Sequence, residues 1–200
     1  GDSLFEKEIP SEEKLDDSLP QSLERCIQYY KLRHFKIKIS GDLEWDLKRL
    51  IDIEKVINNN AKESFKFSLD GNEQFDSITS FQDYWIKLKK QNRLSRFFEH
   101  LLFIEQPLHR DVALDSSLRE DFNKWHKSPP IIIDESDSTL TSLPEAISIG
   151  YSGTSHKNCK GIFKGIANSC LLENRRQNGL NAVMSGEDLC NVGPIAVIQD

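Results

Sequence analysis

The sequence lacks the features that mark several large classes of protein. Its 26 Lys and Arg residues are outnumbered by 32 Asp and Glu, which gives a net charge of −6 and a pI near 5.5. A nucleic-acid-binding domain would carry a basic stripe. No apolar run approaches the roughly 20 residues that span a bilayer, and the first residues lack the basic-then-apolar layout of a signal peptide. We therefore expect a soluble protein with no nucleic-acid and no membrane partner.

Cysteine is scarce and scattered. The four cysteines are Cys26, Cys159, Cys170 and Cys190. They show no C-x-x-C spacing for zinc, and their positions do not suggest a disulfide framework in a chain of 200 residues. We therefore predict reduced thiols and a cytoplasmic location.

Short strand-like apolar runs alternate with stretches of helical periodicity along most of the chain. With 38% hydrophobic residues, 200 residues can bury the core of one domain. Strands are predicted at 35–40, 65–69, 101–105, 131–133, 154–158 and 181–184, and helical segments at 21–33, 43–59, 81–88, 116–127, 143–147 and 159–176. This alternation produces right-handed crossovers and a parallel sheet, the pattern of an α/β protein.

Polar residues stand at the ends of five of these strands. In an open doubly wound sheet, function gathers at one switch point fed by two loops. A closed (β/α) barrel instead brings five strand ends around one cavity, at its C-terminal face. We therefore predict a TIM-type (β/α) barrel. About six strands are too few for a complete barrel of eight, so residues 1–200 are predicted to form one incomplete barrel domain.

Three carboxylates end three successive strands. Asp70, Glu105 and Asp134 offer hard oxygen ligands of the kind that Mg²⁺ takes. A single carboxylate at such a place more often caps a helix or ends a strand in a turn. Three in register, each behind an apolar strand, instead favour a magnesium site. Asn72, Gln106 and Glu135 lie just past the ligand positions and are predicted to hydrogen-bond around them.

Two lysines lie two residues apart on the first predicted strand. If Lys36 and Lys38 point into the barrel, then Phe35, Ile37 and Ile39 pack outward against the helices. The alternative is a surface strand with solvated lysines and those three apolar residues as the buried face. Inside the barrel, a lysine beside another ammonium and a divalent cation would have a lowered pKa. That would make it a usable general base.

Lys157 is the lysine on the far side of the series. Ser155 shares its face, whereas His156 alternates outward and is predicted to be structural. Lys160 and Lys164 fit the following helix, and we interpret them as solvated charges.

Taken in chain order, these motifs resemble one known family. The set is Lys36-x-Lys38, Asp70-x-Asn72, Glu105-Gln106-Pro107, Asp134-Glu135-Ser136 and Lys157. It resembles the enolase superfamily, and within it the barrel domain of the muconate-lactonizing-enzyme and mandelate-racemase-like group. The similarity covers nearly the whole chain.

The resemblance implies a chemistry for each residue. Asp70, Glu105 and Asp134 would bind Mg²⁺, and Lys38 and Lys157 would be acid–base catalysts on opposite faces of the substrate. Lys36 would touch the substrate carboxylate or lower the pKa of Lys38. Family members abstract the proton α to the carboxylate of a small molecule and hold the resulting enolate on the metal, so the resemblance implies an isomerase, epimerase or lyase.

The two catalytic lysines are similar to those of cycloisomerases, o-succinylbenzoate synthases and dipeptide epimerases. Racemase- and sugar-dehydratase-type members use a histidine from the seventh strand, and no histidine follows His156 here. Two positions depart from the family pattern. Gly71 replaces a more usual Ala, and segment 155–161 differs from the commoner lysine-then-Gly-Gly pattern.

The resemblance also implies that the chain is a fragment. It corresponds to roughly strands 2–7 of the barrel, with Gly1-Asp2 resembling the end of the first strand, and it lacks the N-terminal α+β capping domain. We expect a larger two-domain protein, a homo-oligomer when full length, and no activity from the fragment alone. Two alternatives stay open: an acid-sugar dehydratase-like member, and a catalytically silent barrel module that binds a partner.

Overall fold

A computed structural model describes residues 3–61, 64–126 and 128–187 of the chain. These residues form one six-stranded, all-parallel sheet in the order β1-β2-β3-β4-β5-β6. Gly1, Asp2 and Cys190 lie outside the described residues. The strands are β1 (His34–Lys38), β2 (Lys66–Asp70), β3 (Leu101–Glu105), β4 (Ile131–Ile133), β5 (Gly153–His156) and β6 (Val183–Gly186).

Helices connect the strands and cover one face of the sheet. They are α1 (Leu23–Tyr30), α2 (Leu43–Asn60), α3 (Ile78–Lys89), α4 (Arg110–Ala113), α5 (Leu118–Lys124), α6 (Ser142–Ile149) and α7 (Ile162–Gln177). Short 3₁₀ helices occur at Glu6–Glu8, Ser11–Glu13, Asn92–Leu94, Phe97–His100 and Asn158–Lys160. The curled sheet with its helical layer agrees with the predicted α/β class and with an incomplete barrel.

The hydrophobic core lies between the sheet and the helices. Ile37 and Ile39 are buried in it, and Phe35 packs against it, so their outward orientation is confirmed. From α2, Ile53 and Val56 enter the same core. Side chains alternate along a strand, so Lys36 and Lys38 are left to the other, concave face of the sheet.

Helix α2 begins where its sequence provides a cap. The Asp42 side chain accepts hydrogen bonds from the backbone N–H groups of Glu44 and Trp45, which satisfies two donors that the first turn leaves unpaired. Helix α3 buries its predicted aromatic face, consisting of Phe81, Tyr84, Trp85 and Leu88.

Several predicted helices have different bounds in the structure; α1, predicted over 21–33, spans Leu23–Tyr30. Helix α5 ends at Lys124, three residues early, because Trp125 takes φ −91° and ψ 68°. Helix α7 begins at Ile162 instead of residue 159, because Gly161 has φ +107° and residues 158–160 form a 3₁₀ turn. Lys157 therefore lies in the connection after β5, not on a strand.

A register shift in β3 aligns two of the predicted metal ligands. Leu69 of β2 pairs with Ile104 of β3, and the pairing shifts by one residue before that point. Because of the shift, Asp70 pairs with Glu105; the register at the start of β3 would have paired it with Ile104. An irregularity of this kind re-aims a side chain. Here it places both carboxylates at the same height of the concave face.

Among the described residues, β1 and β6 are the two edges of the sheet and pair with no further strand. In the same residues no helix is long and apolar enough to cross a membrane. The three described cysteines, Cys26, Cys159 and Cys170, are free, in agreement with the prediction of thiols.

Candidate active site

The predicted catalytic and ligand residues gather at the carboxyl edge of the sheet. Lys38, Asp70 and Glu105 are the last residues of β1, β2 and β3, and they are paired in register. Asp134 directly follows β4, and Lys157 directly follows β5. A parallel sheet brings such strand ends to one edge, where α/β proteins place their active sites.

Asp70 holds two lysines of β1. Its Oδ2 lies 2.9 Å from Lys36 Nζ and 2.5 Å from Lys38 Nζ. Asp70 is fully buried, and its Oδ1 accepts the backbone N–H of Asn72 at 3.0 Å. Lys36 also lies 3.0 Å from Glu105 Oε1, which joins the first two carboxylates.

Asp134 holds a second pair of lysines. Lys157 Nζ donates to its Oδ2 at 2.8 Å, and Lys160 donates to its Oδ1 and, at 2.6 Å, to its backbone carbonyl. Lys160 donates further to the carbonyl of Ser155 at 3.1 Å. The interpretation of Lys160 as a solvated charge was wrong. The turn that ends at Gly161 directs it back to the site.

Glu187 was missed by the sequence analysis. It follows β6, and its carboxylate lies 2.8 Å from Lys36 and 2.8 Å from Lys157. Oxygen atoms of Glu105, Asp134 and Glu187 all lie within 4.8 Å of one another, so these three residues could hold a metal ion. Glu187 lies just past a strand end, as Asp134 does, and this position is the signal that could have identified Glu187 in the sequence.

Neighbouring carboxylates set the pKa values of two site lysines. Burial lowers the pKa of Lys36, but hydrogen bonds to Glu187 and Asp70 outweigh it, so the pKa lies above its usual value. Burial likewise lowers the pKa of Lys157, and hydrogen bonds to Asp134 and Glu187 reverse the effect. The prediction of a lowered pKa concerned a lysine of β1 beside a bound divalent cation, and it stays a prediction.

The carboxylates differ in their protonation. Burial raises the pKa of Glu105 to about 7, with the charge of Asp70 adding to the effect and Lys36 opposing it. Burial would also raise the pKa of Asp134, but hydrogen bonds from Lys157 and Lys160 hold it below its usual value. Near neutral pH, Glu105 is therefore more readily protonated than Asp134.

Gln106 connects the ends of β3 and β4. Its side-chain oxygen accepts the backbone N–H groups of Asp134 at 2.7 Å and Ser136 at 3.2 Å, and its amide donates to the Leu108 carbonyl and the Ser136 hydroxyl. Asn72 donates to Glu135 Oε1 at 3.0 Å. Asn72 and Gln106 have positive φ angles of 38° and 32°, a strained conformation that often occurs at functional sites.

Two further predictions concern residues beside the site. His156 packs outward on Gly165, where an added Cβ would lie 2.3 Å from its ring, in agreement with its predicted orientation. Lys164, however, is buried and lies 2.9 Å from Asp137, to which Thr154 also donates at 2.8 Å. Its interpretation as a solvated charge was wrong, because α7 turns this lysine toward the sheet.

No known protein family matches the chain by its sequence pattern. No curated protein matches it in sequence either. Solved structures do match in fold. One is a dipeptide epimerase from Enterococcus faecalis V583, complexed with Mg and the dipeptide L-Leu-L-Tyr. It has a TM-score of 0.55 and 19% identity, over 78% of this chain and 40% of the epimerase.

Two other structures show the same likeness. N-succinyl Arg/Lys racemase from Bacillus cereus ATCC 14579 has a TM-score of 0.54 and 18% identity, over 78% of this chain and 38% of its own. Galacturonate dehydratase from Geobacillus sp., complexed with D-galacturonate, has a TM-score of 0.53 and 21% identity, over 84% and 43%. The described part of the chain therefore has the same fold as the matched parts of these three enzymes. The chain spans about 40% of the length of these enzymes.

Proposed function

We propose that this enolase-type chain provides the Mg²⁺ site and the bases of an enzyme that abstracts the proton α to a carboxylate. The observation that carries the proposal is the alternation of lysines and carboxylates at one sheet edge. Lys36 and Lys38 form ion pairs with Asp70, and Lys157 forms an ion pair with Asp134. The buried Glu105 lies between the two aspartates. The fold likeness to an epimerase, a racemase and a dehydratase supports it.

The buried carboxylates are suitable ligands for a magnesium ion. Asp70, Glu105 and Asp134 are each at most 1% exposed, and Glu105 Oε2 has no hydrogen-bond partner among the described residues. A buried carboxylate oxygen without a partner is costly and suits a hard cation. Asp70, Glu105 and Asp134 would hold the ion, which would supply Lewis-acid stabilisation of enolate charge. The structure brings oxygens of Glu105 and Asp134, with Glu187, within 4.8 Å of one another, whereas Asp70 Oδ2 lies against Lys36 and Lys38 and would have to turn from them to join the ion.

The lysines would move the proton. Lys38 ends β1 and Lys157 follows β5, so they approach the carboxylates from different sides. A lysine removes a proton only in its neutral form and returns one in its charged form. Lys157 Nζ lies 2.8 Å from both Asp134 Oδ2 and Glu187 Oε1, and two carboxylates favour the charged form of an ammonium, so we assign Lys157 the role of the acid. Lys36, between Asp70 and Glu105, would orient the substrate carboxylate. Asn72, Gln106 and Glu135 would keep the ligand-bearing loops in place.

The reaction within this class is an isomerisation or epimerisation. In support, β6 and the residues after it to Glu187 contain no histidine. The second candidate is acid-sugar dehydration, because the likeness to galacturonate dehydratase covers 84% of this chain. We further propose that the whole protein acts as a homo-oligomer on a small carboxylate.

The test is exchange of α-protons with solvent deuterium. The full-length protein, loaded with Mg²⁺, is incubated in deuterium oxide with a library of carboxylates that includes dipeptides, N-acylamino acids and acid sugars. Deuterium at the α-carbon with inversion supports an epimerase, and loss of water supports a dehydratase. If no compound exchanges although Mg²⁺ binds, the enzyme proposal fails and a binding module remains.

A further inference from the structure

Glu187 occupies a place that the proposed chemistry does not assign. Its Oε2 lies 2.8 Å from Lys36 Nζ, and its Oε1 lies 2.8 Å from Lys157 Nζ. Lys36 belongs to β1 and Lys157 follows β5, so one carboxylate joins lysines that approach from opposite parts of the sheet. The two ammonium groups form a binding site for one carboxylate. In this structure that carboxylate is the chain's own Glu187.

The same side chain lies against the cation ligands. Oxygen atoms of Glu105, Asp134 and Glu187 lie within 4.8 Å of one another. Oxygens that share one octahedral Mg²⁺ at ~2.1 Å lie about 3 to 4 Å apart, so a bound ion would draw these three groups closer together. An independent observation indicates a cation at this point: Glu105 is fully buried, and among the described residues its Oε2 has no hydrogen-bond partner.

A substrate carboxylate would need the same neighbours. Under the proposed function it lies beside the cation, in reach of Lys36, with Lys157 across from it. If Glu187 left without a replacement, Lys36 and Lys157 would each lose a charged partner in a half-buried site, which is unfavourable. Exchange of one carboxylate for another keeps the charge balance unchanged.

We propose that Glu187 is an internal stand-in for the substrate carboxylate, seated beside the cation and between Lys36 and Lys157 until a carboxylate ligand displaces it. The inference rests on the proposed function, since it takes the cation site from there. The ligand that displaces Glu187 is a small carboxylate anion. Glu187 therefore strengthens cation binding and competes with carboxylate binding.

The test measures these two effects separately in wild-type protein and Glu187→Gln. The amide keeps the size of the side chain and removes its charge. With Mn²⁺ alone, followed by electron paramagnetic resonance, we expect affinity to fall about tenfold, the effect typical of a group that supports a metal site. With acetate added to Mn²⁺-loaded protein, we expect tighter binding, seen as stronger relaxation of the acetate methyl protons.

Weaker Mn²⁺ binding together with tighter acetate binding in Glu187→Gln distinguishes the proposal from a purely structural role of Glu187. If Glu187→Gln weakens both Mn²⁺ and acetate binding, or changes neither, the proposal is overturned. Glu187→Asp, which keeps the charge, should restore most of the Mn²⁺ affinity. Glu99→Gln is the matched control, because it removes an exposed carboxylate just before β3, and it should change neither affinity. If the wild-type protein binds no Mn²⁺, the magnesium site of the proposed function fails as well.

Discussion

Asp70 and Asp134 each contact two lysine ammonium groups, but the two lysine pairs differ in burial. On the Asp70 side, the side chains of Lys36 and Lys38 are 28% and 60% exposed. On the Asp134 side, Lys157 is 13% exposed and Lys160 16%. One side of the site is therefore open to solvent at Lys38, and the other is closed.

The hydrogen bonds differ in the same sense. Both lysines of the Asp70 side share one oxygen, Oδ2, so Lys38 can leave while Lys36 stays. On the Asp134 side each lysine has its own carboxylate oxygen, and Lys160 also binds two backbone carbonyls. Lys38 is therefore the less constrained of the two proposed acid–base lysines, whereas Lys157 is held between Asp134 and Glu187.

Removal of the two proposed bases should have the largest effect. In the full-length enzyme, Lys38→Ala and Lys157→Ala should each abolish epimerisation, since a positioned acid or base contributes about 10²–10⁴-fold. Exchange on one face by the remaining lysine should persist in each variant, with opposite stereochemistry. The measurement is deuterium incorporation followed by chiral separation of the product.

Lys124→Ala is the control, because this exposed lysine pairs, within the described part of the chain, with Glu120 on α5 alone. It should leave turnover unchanged. Unchanged turnover in both Lys38→Ala and Lys157→Ala would refute the acid–base roles.

The next effect concerns folding stability and separates the open side from the closed one. Lys160→Ala should lower the free energy of unfolding by about 2 kcal/mol, because it leaves Asp134 and buried carbonyls short of a charged donor. Lys38→Ala should cost less than about 1 kcal/mol, since an exposed ion pair contributes little. Urea unfolding measures both, and equal losses would contradict the comparison.

The open side was more predictable from the sequence than the closed side. Lys36, Lys38, Asp70 and Glu105 lie within or at the end of apolar strands, whose alternation fixes the face that each side chain takes. Lys160 follows β5 in a 3₁₀ turn, and β6 contains Ser185 and Gly186 in place of an apolar run. Periodicity carries no information at such positions.

Charged residues outside the strands could not be assigned for a related reason. Lys164 and a solvated lysine look the same in sequence, and the partner of Lys164 is Asp137, 27 residues away. The β3 register shift, which pairs Asp70 with Glu105, also depends on tertiary packing. The strand order, by contrast, follows from the alternation of strands and helices.

A smaller effect is expected at Gly71, which follows Asp70. A Cβ added there would lie 2.6 Å from Pro107 Cα, so Gly71→Ala forces the two loops apart, at a cost of about 1–2 kcal/mol. The alanine that is more usual in the resembled family should therefore destabilise this chain.

The matched control is Gly186→Ala, next to Glu187. An added Cβ meets no atom of the described residues within 4 Å there, so the midpoint of thermal unfolding of Gly186→Ala should stay near that of wild type. An unchanged midpoint in Gly71→Ala would show that the Asp70 loop adapts freely.

The smallest effect concerns Glu105, which lies between the two sides. Burial first, and Asp70 second, raise its pKa to about 7, so near pH 7 roughly half of the molecules carry a proton there. A cation needs the ionised form, and binding should release that proton. Release should approach one proton at about pH 6 and nearly vanish at about pH 8. Calorimetry of Mn²⁺ binding in two buffers of different ionisation enthalpy measures it, and identical heats in both at pH 7 would refute the raised pKa.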